Sequence, residues 1–431
     1  MNYISEIINK IENGVPVALY AVGTNAMMLL NELKVKCGKL PVAICDKDVT
    51  KHGKKYKALH NLDIMPIELA LEKHPNLEIF IASSLYKHQI IGELTEIKKL
   101  PKERIINFVP VEKRISCRFL ENRMLYMFNG VLKPCVCQEC PKLLNYTERD
   151  ASKYMELKNK ITESIENGAI DIECHGCRAI QEDWYPVNRV LSYVNYCAWN
   201  TCNFKCSYCF GIGQGAPDLD EERKSEIGFG EFIEPYLDNG WLTQDYDAIH
   251  STVGEPTIHP KRKKFYDAFN GYVMTINTNG SIFDEHLFDL MNEKKALVQI
   301  SLDAGTRETF AKIKGVDCFE KVISNIKKYS EAKIGIVILK YIFVTDVNDN
   351  GEDIDGFVNI VEKTGVDCVN LAIEFESTQR VGHDSRIRTS DYSISQMKRL
   401  KAEIEKRGKF CFLNTTNETE DLIDALNKVK E

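Results

Sequence analysis

The sequence predicts an α/β chain built around a partial (β/α)6, TIM-like barrel, with a smaller parallel α/β domain before it and a short cysteine-rich segment between the two. Three observations predict this. Six strand-then-helix units run from Leu191 to about residue 376, four apolar runs alternate with helical stretches before residue 112, and cysteines gather in the interval between. At 431 residues, 44% of them hydrophobic, the chain can bury more than one core.

The first unit, residues 1–112, opens on MNYISEIINKIENG, an amphipathic helix without the apolar centre of a signal peptide. VPVALYAV, PVAICDKD, LEIFIAS and RIINFVP follow as strands, with NAMMLLNELK and IGELTEIKK as helices between them. Tyr20-Ala21-Val22-Gly23-Thr24-Asn25-Ala26 leads from the first strand into a helix, and Asp46 ends the next strand. That is the placement of a dinucleotide-binding turn and its ribose-binding acid, with Ala21 and Ala26 standing where two glycines are expected. A Rossmann-like domain is expected, with a nucleotide, a sugar-like ligand or a docking role as its candidate uses.

Residues 113–190 are too few for an autonomous core. LYMF and VLKPC flank Asn129-Gly130 and read as a hairpin, and a polar helix runs from about Asp150 to Asn167. Cys117, Gly130 and Cys135 precede Cys174-His175-Gly176-Cys177, so four thiols can meet, with Cys137 and Cys140 as possible substitutes. Such a set suits an iron-sulfur cluster or a zinc site.

The barrel unit, residues 191–390, carries strands at LSYVNYCA, AIHSTVG, VMTINTNG, LVQISLDA, IVILKYIFV and VNLAIEF. The helices FEKVISNIKKYSEA and DIDGFVNIVEKTG space their apolar residues by three and four, as helices packed on a parallel sheet require. Residues 391–431 add a helix, the strand KFCFLN and a last helix as a C-terminal extension. Cys202-Asn-Phe-Lys-Cys206-Ser-Tyr-Cys209 directly follows the first strand, at the strand end where barrel loops build active sites. Three thiolates at this spacing can wrap one cubane and leave its fourth iron open.

Lys340 interrupts an otherwise apolar strand, which is costly unless it meets an anion at the barrel mouth. Cys197, Cys318, Cys368 and Cys411 fall on or near predicted elements, where cysteine serves as a small apolar residue. Arg380, His383, Arg386 and Arg388 make a basic loop that is either an anionic substrate's site or simply solvated.

With these residues in place, the segment from 191 to about 376 resembles the radical S-adenosylmethionine (SAM) superfamily. Gly254-Glu255-Pro256 resembles that family's Gly-Gly-Glu-Pro element, with Val253 in place of the first glycine. The resemblance implies a [4Fe-4S] cluster on Cys202, Cys206 and Cys209 that binds SAM and cleaves it to a 5′-deoxyadenosyl radical. It also implies that Glu255, with Gly254 and Pro256, receives the methionine amino group. Thr278, Asn279, Ser301 and Asp303 then lie near methionine and ribose, Tyr208 lies against adenine, and Lys340 meets a cofactor carboxylate or the substrate. Cys197 gains an alternative role, returning a hydrogen atom to a substrate radical.

The arrangement of Cys117, Cys135, Cys174 and Cys177 resembles the twitch and SPASM auxiliary segments and implies a second [4Fe-4S] cluster, although in those relatives the segment follows the barrel. The function so implied is an oxidoreductase or isomerase acting on a small polar molecule, a carbohydrate or nucleotide-sugar derivative, with electrons from a flavodoxin or ferredoxin. Peptide modification, radical methyl transfer and an iron-sulfur sensor or scaffold are the rivals. The net charge of -7 argues against nucleic-acid binding through bulk electrostatics, and no run of 18 apolar residues offers a membrane span. Fifteen cysteines in a chain large enough to need no disulfides lead us to expect a reducing, cytoplasmic setting.

Overall fold

The computed structural model describes residues 3–126, 131–134, 144–145, 150–170, 174–177, 179–196, 201–209, 229–250, 254–267, 273–293, 296–374, 378–381, 384–387, 389–413, 422 and 426. Strands β1 (Val17–Tyr20), β2 (Ala43–Cys45), β3 (Ile64–Met65) and β4 (Glu78–Ile81) form a parallel sheet in the order β3-β2-β1-β4. The order reverses at β1, as in a Rossmann-like half. Alternation along β1 sorts its side chains between two layers. Val17 and Leu19 pack with the helices Tyr3–Glu12 and Thr24–Cys37, while Ala18 and Tyr20 pack with residues of the helices Ile67–Lys73 and Lys87–Gly92.

The next strands are β5 (Val111–Cys117), β6 (Arg123–Tyr126), β7 (Val131–Lys133), β8 (Leu144–Asn145) and β9 (Ile180–Pro186). The main sheet adds β10 (Leu191–Tyr196), β11 (Leu242–His250), β12 (Val273–Thr278), β13 (Ala296–Ser301), β14 (Val337–Phe343), β15 (Cys368–Ile373) and β18 (Phe410–Leu413). A small antiparallel pair, β16 (Thr378–Val381) and β17 (Asp384–Ile387), lies between β15 and β18 in the chain.

The main sheet has ten strands in the order β18-β15-β14-β13-β12-β11-β10-β6-β7-β8. The six expected barrel strands are consecutive and parallel. Two segments outside the six barrel strands add strands to this sheet. The cysteine-rich segment lends β6, which runs parallel to β10 and carries the β7–β8 meander outward. The C-terminal extension is no appendage either: β18 pairs parallel with β15, and Phe410 and Cys411 are buried there.

The strands of the barrel have two differently covered faces. Met274, Ile276, Val298, Ile300, Leu339, Tyr341, Val369 and Leu371 pack outward in the core formed with the helices. The opposite face begins, at the N-terminal ends of five strands, with Val273, Leu297, Ile338, Cys368 and Phe410. These five join the cluster of the N-terminal domain that contains Met28, Tyr56 and Leu59. Tyr56 meets Phe410 edge-on at 5.3 Å, Asn31 Nδ2 donates to Ile334 O at 3.0 Å, and Lys57 N donates to Gly408 O at 3.1 Å. The N-terminal domain therefore closes the lower end of the barrel with an apolar layer. Burial of each large apolar side chain there contributes roughly 1.5–3 kcal/mol.

Candidate active site

The clasp Cys202–Cys209 leaves the C-terminal end of β10, opposite the apolar closure. Its backbone is held by the helix Arg307–Lys314: Lys205 N donates to Lys314 O at 3.0 Å and Ser207 N to Ile313 O at 2.8 Å. Gly315 explains the close approach, since it adopts φ +68 and a Cβ there would lie 2.8 Å from Lys205 O. Phe204 is buried and meets Phe310 edge-on at 6.1 Å, which fixes the loop from inside. The three thiols are partly exposed and form no disulfide.

Two donors aim at one sulfur: Phe204 N–H at 3.3 Å and Asn279 Nδ2 at 3.8 Å from Cys202 Sγ. Burial nevertheless pushes the Cys202 thiol up to about 11 and raises Cys206, with Lys314 pulling Cys206 the other way. Thiols held protonated in this way wait for a metal to displace the proton. Among the described residues no three His, Cys, Asp or Glu side chains stand close enough to hold a single ion. The fit to a [4Fe-4S] cluster rests on the thiol spacing within one pinned loop and on the donors aimed at Cys202.

Glu255 lies beside the clasp, with its own N–H donating to Thr201 O at 2.8 Å. Only 1% exposed, it accepts from Thr257 Oγ1 at 2.7 Å and Thr278 Oγ1 at 2.6 Å on Oε1, and from Asn279 N at 2.6 Å on Oε2. Burial raises its carboxyl pKa, and these donors pull it back. Thr278 and Asn279 are thereby brought to Glu255, with Gly254 and Pro256 on either side of it, while Asn279 also reaches Asn203 Oδ1 at 2.8 Å. Ser301 stands in register with Lys340 across β13 and β14, both half-buried on the face away from the helices.

Tyr208 and Asp303 meet each other and Lys314 in the structure. Asp303, 0% exposed, accepts from Lys314 Nζ and Tyr208 Oη on Oδ2 and from Ile342 N at 2.7 Å on Oδ1. Lys314, 1% exposed, also donates to Tyr208 Oη at 2.9 Å. The three side chains form a buried knot beneath the cluster loop, so the polar ends of both Tyr208 and Asp303 are spent on it. Burial, then the Asp303 charge, raises the Tyr208 phenol well above its usual range. Asp303 sits in the left-handed region at φ +58, which turns its carboxylate inward at the end of β13.

Further features were missed from sequence. Asn277 on β12, Gln299 on β13 and Asn370 on β15 form an amide ladder: Gln299 Nε2 donates to Asn277 Oδ1 at 2.7 Å and Asn370 Nδ2 to Gln299 Oε1 at 2.9 Å. Asn370 is 3% exposed and its Oδ1 has no partner among the described residues. A buried unpaired oxygen of this kind costs about 1–3 kcal/mol.

Three of the cysteines expected at the auxiliary site, Cys117, Cys174 and Cys177, fall on described residues. Cys117 and Cys177 belong to one buried cluster, Cys117 faces Ile180 in register, and Cys177 N donates to Cys174 O at 3.1 Å. Cys135, Cys137, Cys140, Cys197, His383 and Arg388 lie outside the described residues. Arg380 and Arg386 fall on the β16–β17 pair, opposite Ser385 and Gln379. Cys368 and Cys411 are buried, as their apolar reading expects.

In the N-terminal domain, Asp46 is not held open for a ribose. Oδ2 accepts from Val22 N at 2.8 Å and Lys51 Nζ at 3.2 Å, and Oδ1 from Asp48 N at 2.9 Å. Ala21, where the first glycine is expected, is forced to φ +85. The acid thus stabilises the turn of its own chain.

Residues 196–361 match the model of the radical SAM superfamily. The chain is similar to a probable GTP 3′,8-cyclase of Saccharolobus islandicus, 26% identical over 178 residues, covering 40% of this chain and 53% of that protein. It is also similar to the molybdenum cofactor biosynthesis protein moc-5 of Caenorhabditis elegans, 25% identical over 259 residues, 53% of this chain and 40% of that one. The chain spans about half the length of the curated relatives it matches. Among solved structures it is similar to Streptococcus suis SuiB bound to S-adenosylmethionine, at 14% identity and a TM-score of 0.42, covering 65% of this chain and 59% of that one. Among the described residues no helix is long and apolar enough to cross a membrane. Residues 196–361, the barrel segment that carries the three-cysteine clasp, are thus the part of this chain that matches the radical SAM superfamily.

Proposed function

We propose that the protein cleaves SAM reductively and directs the 5′-deoxyadenosyl radical to a C–H bond of a small polar molecule, with a purine nucleotide such as GTP as the first candidate. The observation that carries this reading is the pinned clasp of Cys202, Cys206 and Cys209 at the strand C-termini, beside the buried carboxylate of Glu255. When bound, the cluster and SAM supply one-electron cleavage of a carbon–sulfur bond.

The chain's own residues do the rest. Cys202, Cys206 and Cys209 would hold the cluster, and Glu255 Oε2, which among the described residues accepts from Asn279 N–H alone, keeps a lone pair for the methionine ammonium. The closed lower end of the barrel keeps water from the radical, and the lumen walls hold the target carbon close. The relatives' names supply GTP, so the nucleotide-sugar expected from sequence gives way to a nucleotide, whose ribose is still a carbohydrate. Reaction at such a carbon can end in oxidation, inversion or ring closure, and the product identifies which.

Cys117, Cys174 and Cys177, with Cys135 or one of its neighbours Cys137 and Cys140, support a second cluster. A flavodoxin or ferredoxin then serves as electron donor. The test is anaerobic reconstitution followed by iron counting and electron paramagnetic resonance with and without SAM. We expect a cubane signal that SAM perturbs, 5′-deoxyadenosine on reduction, and loss of both in Cys206→Ala. Cys174→Ala should keep the first signal while losing about half the iron. A Cys206→Ala protein that still forms 5′-deoxyadenosine would end the reading.

A further inference from the structure

Gln299 and Asn370 are not on neighbouring strands, because β14 lies between β13 and β15. Strands two apart in a flat sheet are separated by about 9–10 Å. Their side chains nevertheless meet at 2.9 Å across β14, a contact that the inside of a curved sheet, where side chains converge, favours. The ladder Asn277–Gln299–Asn370 therefore spans the lumen side of the barrel.

Its height in the lumen follows from the register. Two residues earlier on β15, Cys368 belongs to the apolar layer that meets the N-terminal domain, and Leu297 and Ile338 belong to the same layer. Asn370 pairs with Lys340, which pairs in turn with Ser301 at the end of β13. The ladder is thus the first polar layer above the closure, while the cysteine clasp and Glu255 stand at the far ends of the strands. From Asn370 to the end of β15 are three residues, a rise of about 10 Å. That is the length of a nucleoside.

The ladder of three amides has one open position, the Asn370 side-chain oxygen, with Lys340 beside it in register. That oxygen is buried and has no hydrogen-bond partner among the described residues. Reversing all three amides together keeps both ladder bonds and turns the open group into an N–H donor. In either polarity the missing partner is a hydrogen-bonding group, and Lys340, beside Asn370 in register, favours a carbonyl-bearing edge there.

We infer that the amide ladder is the floor of a substrate subsite that takes an amide-like, hydrogen-bonding edge such as that of a nucleobase, held through Asn370 with its sugar raised toward the clasp. This rests on the proposed radical SAM reading for the position of the reacting end, but binding at the floor can be measured without turnover.

The experiment is equilibrium dialysis of GTP against the reconstituted, unreduced holoenzyme, with guanosine as competitor, for the wild type and for Asn370→Leu combined with Gln299→Met. Guanosine carries the base edge without phosphates, so it should compete with GTP on the wild type. The double variant replaces two of the three ladder amides by apolar side chains of similar length and removes the open group. It should melt no lower than the wild type, yet bind GTP at least tenfold more weakly. Unchanged GTP affinity in the double variant, failure of guanosine to compete, or no GTP binding to the wild type overturns the inference. A wild type that binds GTP and guanosine but yields no 5′-deoxyadenosine under reduction sinks the radical reading and leaves the floor standing.

Discussion

The Lys314–Asp303 pair offers the sharpest energetic test of how the cluster loop is held. Both side chains are inaccessible to water, at 1% and 0% exposure, so neither charge can be solvated if its partner is removed. Lys314→Met would leave the Asp303 carboxylate with only the Tyr208 hydroxyl and the Ile342 N–H as donors. Breaking a buried pair in this way costs roughly 3–5 kcal/mol, most of it the burden of the orphaned charge. Asp303→Asn keeps an acceptor for Ile342 N–H and a residue tolerant of the left-handed backbone, but it strands the ammonium instead. The double variant carries neither charge and should be more stable than Lys314→Met alone. Chemical denaturation of the metal-free protein, run as a double-mutant cycle, should return a coupling of at least about 2 kcal/mol. If the two single effects add to within about 0.5 kcal/mol, the pair is not a coupled unit and the knot does not fix the loop.

Gly305→Ala should be poorly tolerated, because a Cβ would lie 1.9 Å from Asp353 O and 2.6 Å from Phe357 N; overpacking of this kind costs about 1–3 kcal/mol or more, and an unchanged melting temperature would disprove the contact. His259 is buried, its Nδ1 accepts from Lys261 N at 3.0 Å, and burial, with Lys261 and Arg262 nearby, lowers its pKa to about 4. Its neutral form is favoured by folding, so its contribution is complete above the unfolded value near 6.5 and is lost as the pH falls from there to about 4. At most about 3 kcal/mol is involved after allowance for partial solvation, and His259→Gln should remove that part of the slope in unfolding free energy measured across the window.

The strand period and the thiol spacing made the barrel and its clasp legible, because both are local patterns. What could not be read were the partners chosen at long range. Arg123–Tyr126 and Phe410–Leu413 look like isolated short strands in the sequence, and only the free edges of β10 and β15 decide where they go. Lys314 was equally invisible: a lysine in the last turn of an amphipathic helix usually faces water and complements the helix dipole, and nothing nearby announces that Asp303 waits for it. The amide ladder is a different case, because its signal was present. Parallel strands covered by protein on both faces should be almost continuously apolar. Asn277, Gln299, Lys340 and Asn370 break that rule on four strands, always at the position two beyond a residue of the lower layer or two beyond that. Lys340 was noticed as a lone charge, whereas together the four show that one face of these strands covers no helix and must line a space. Alternating polarity inside a parallel strand is therefore a readable sign of a lumen, and the height at which it begins marks where the closing domain ends.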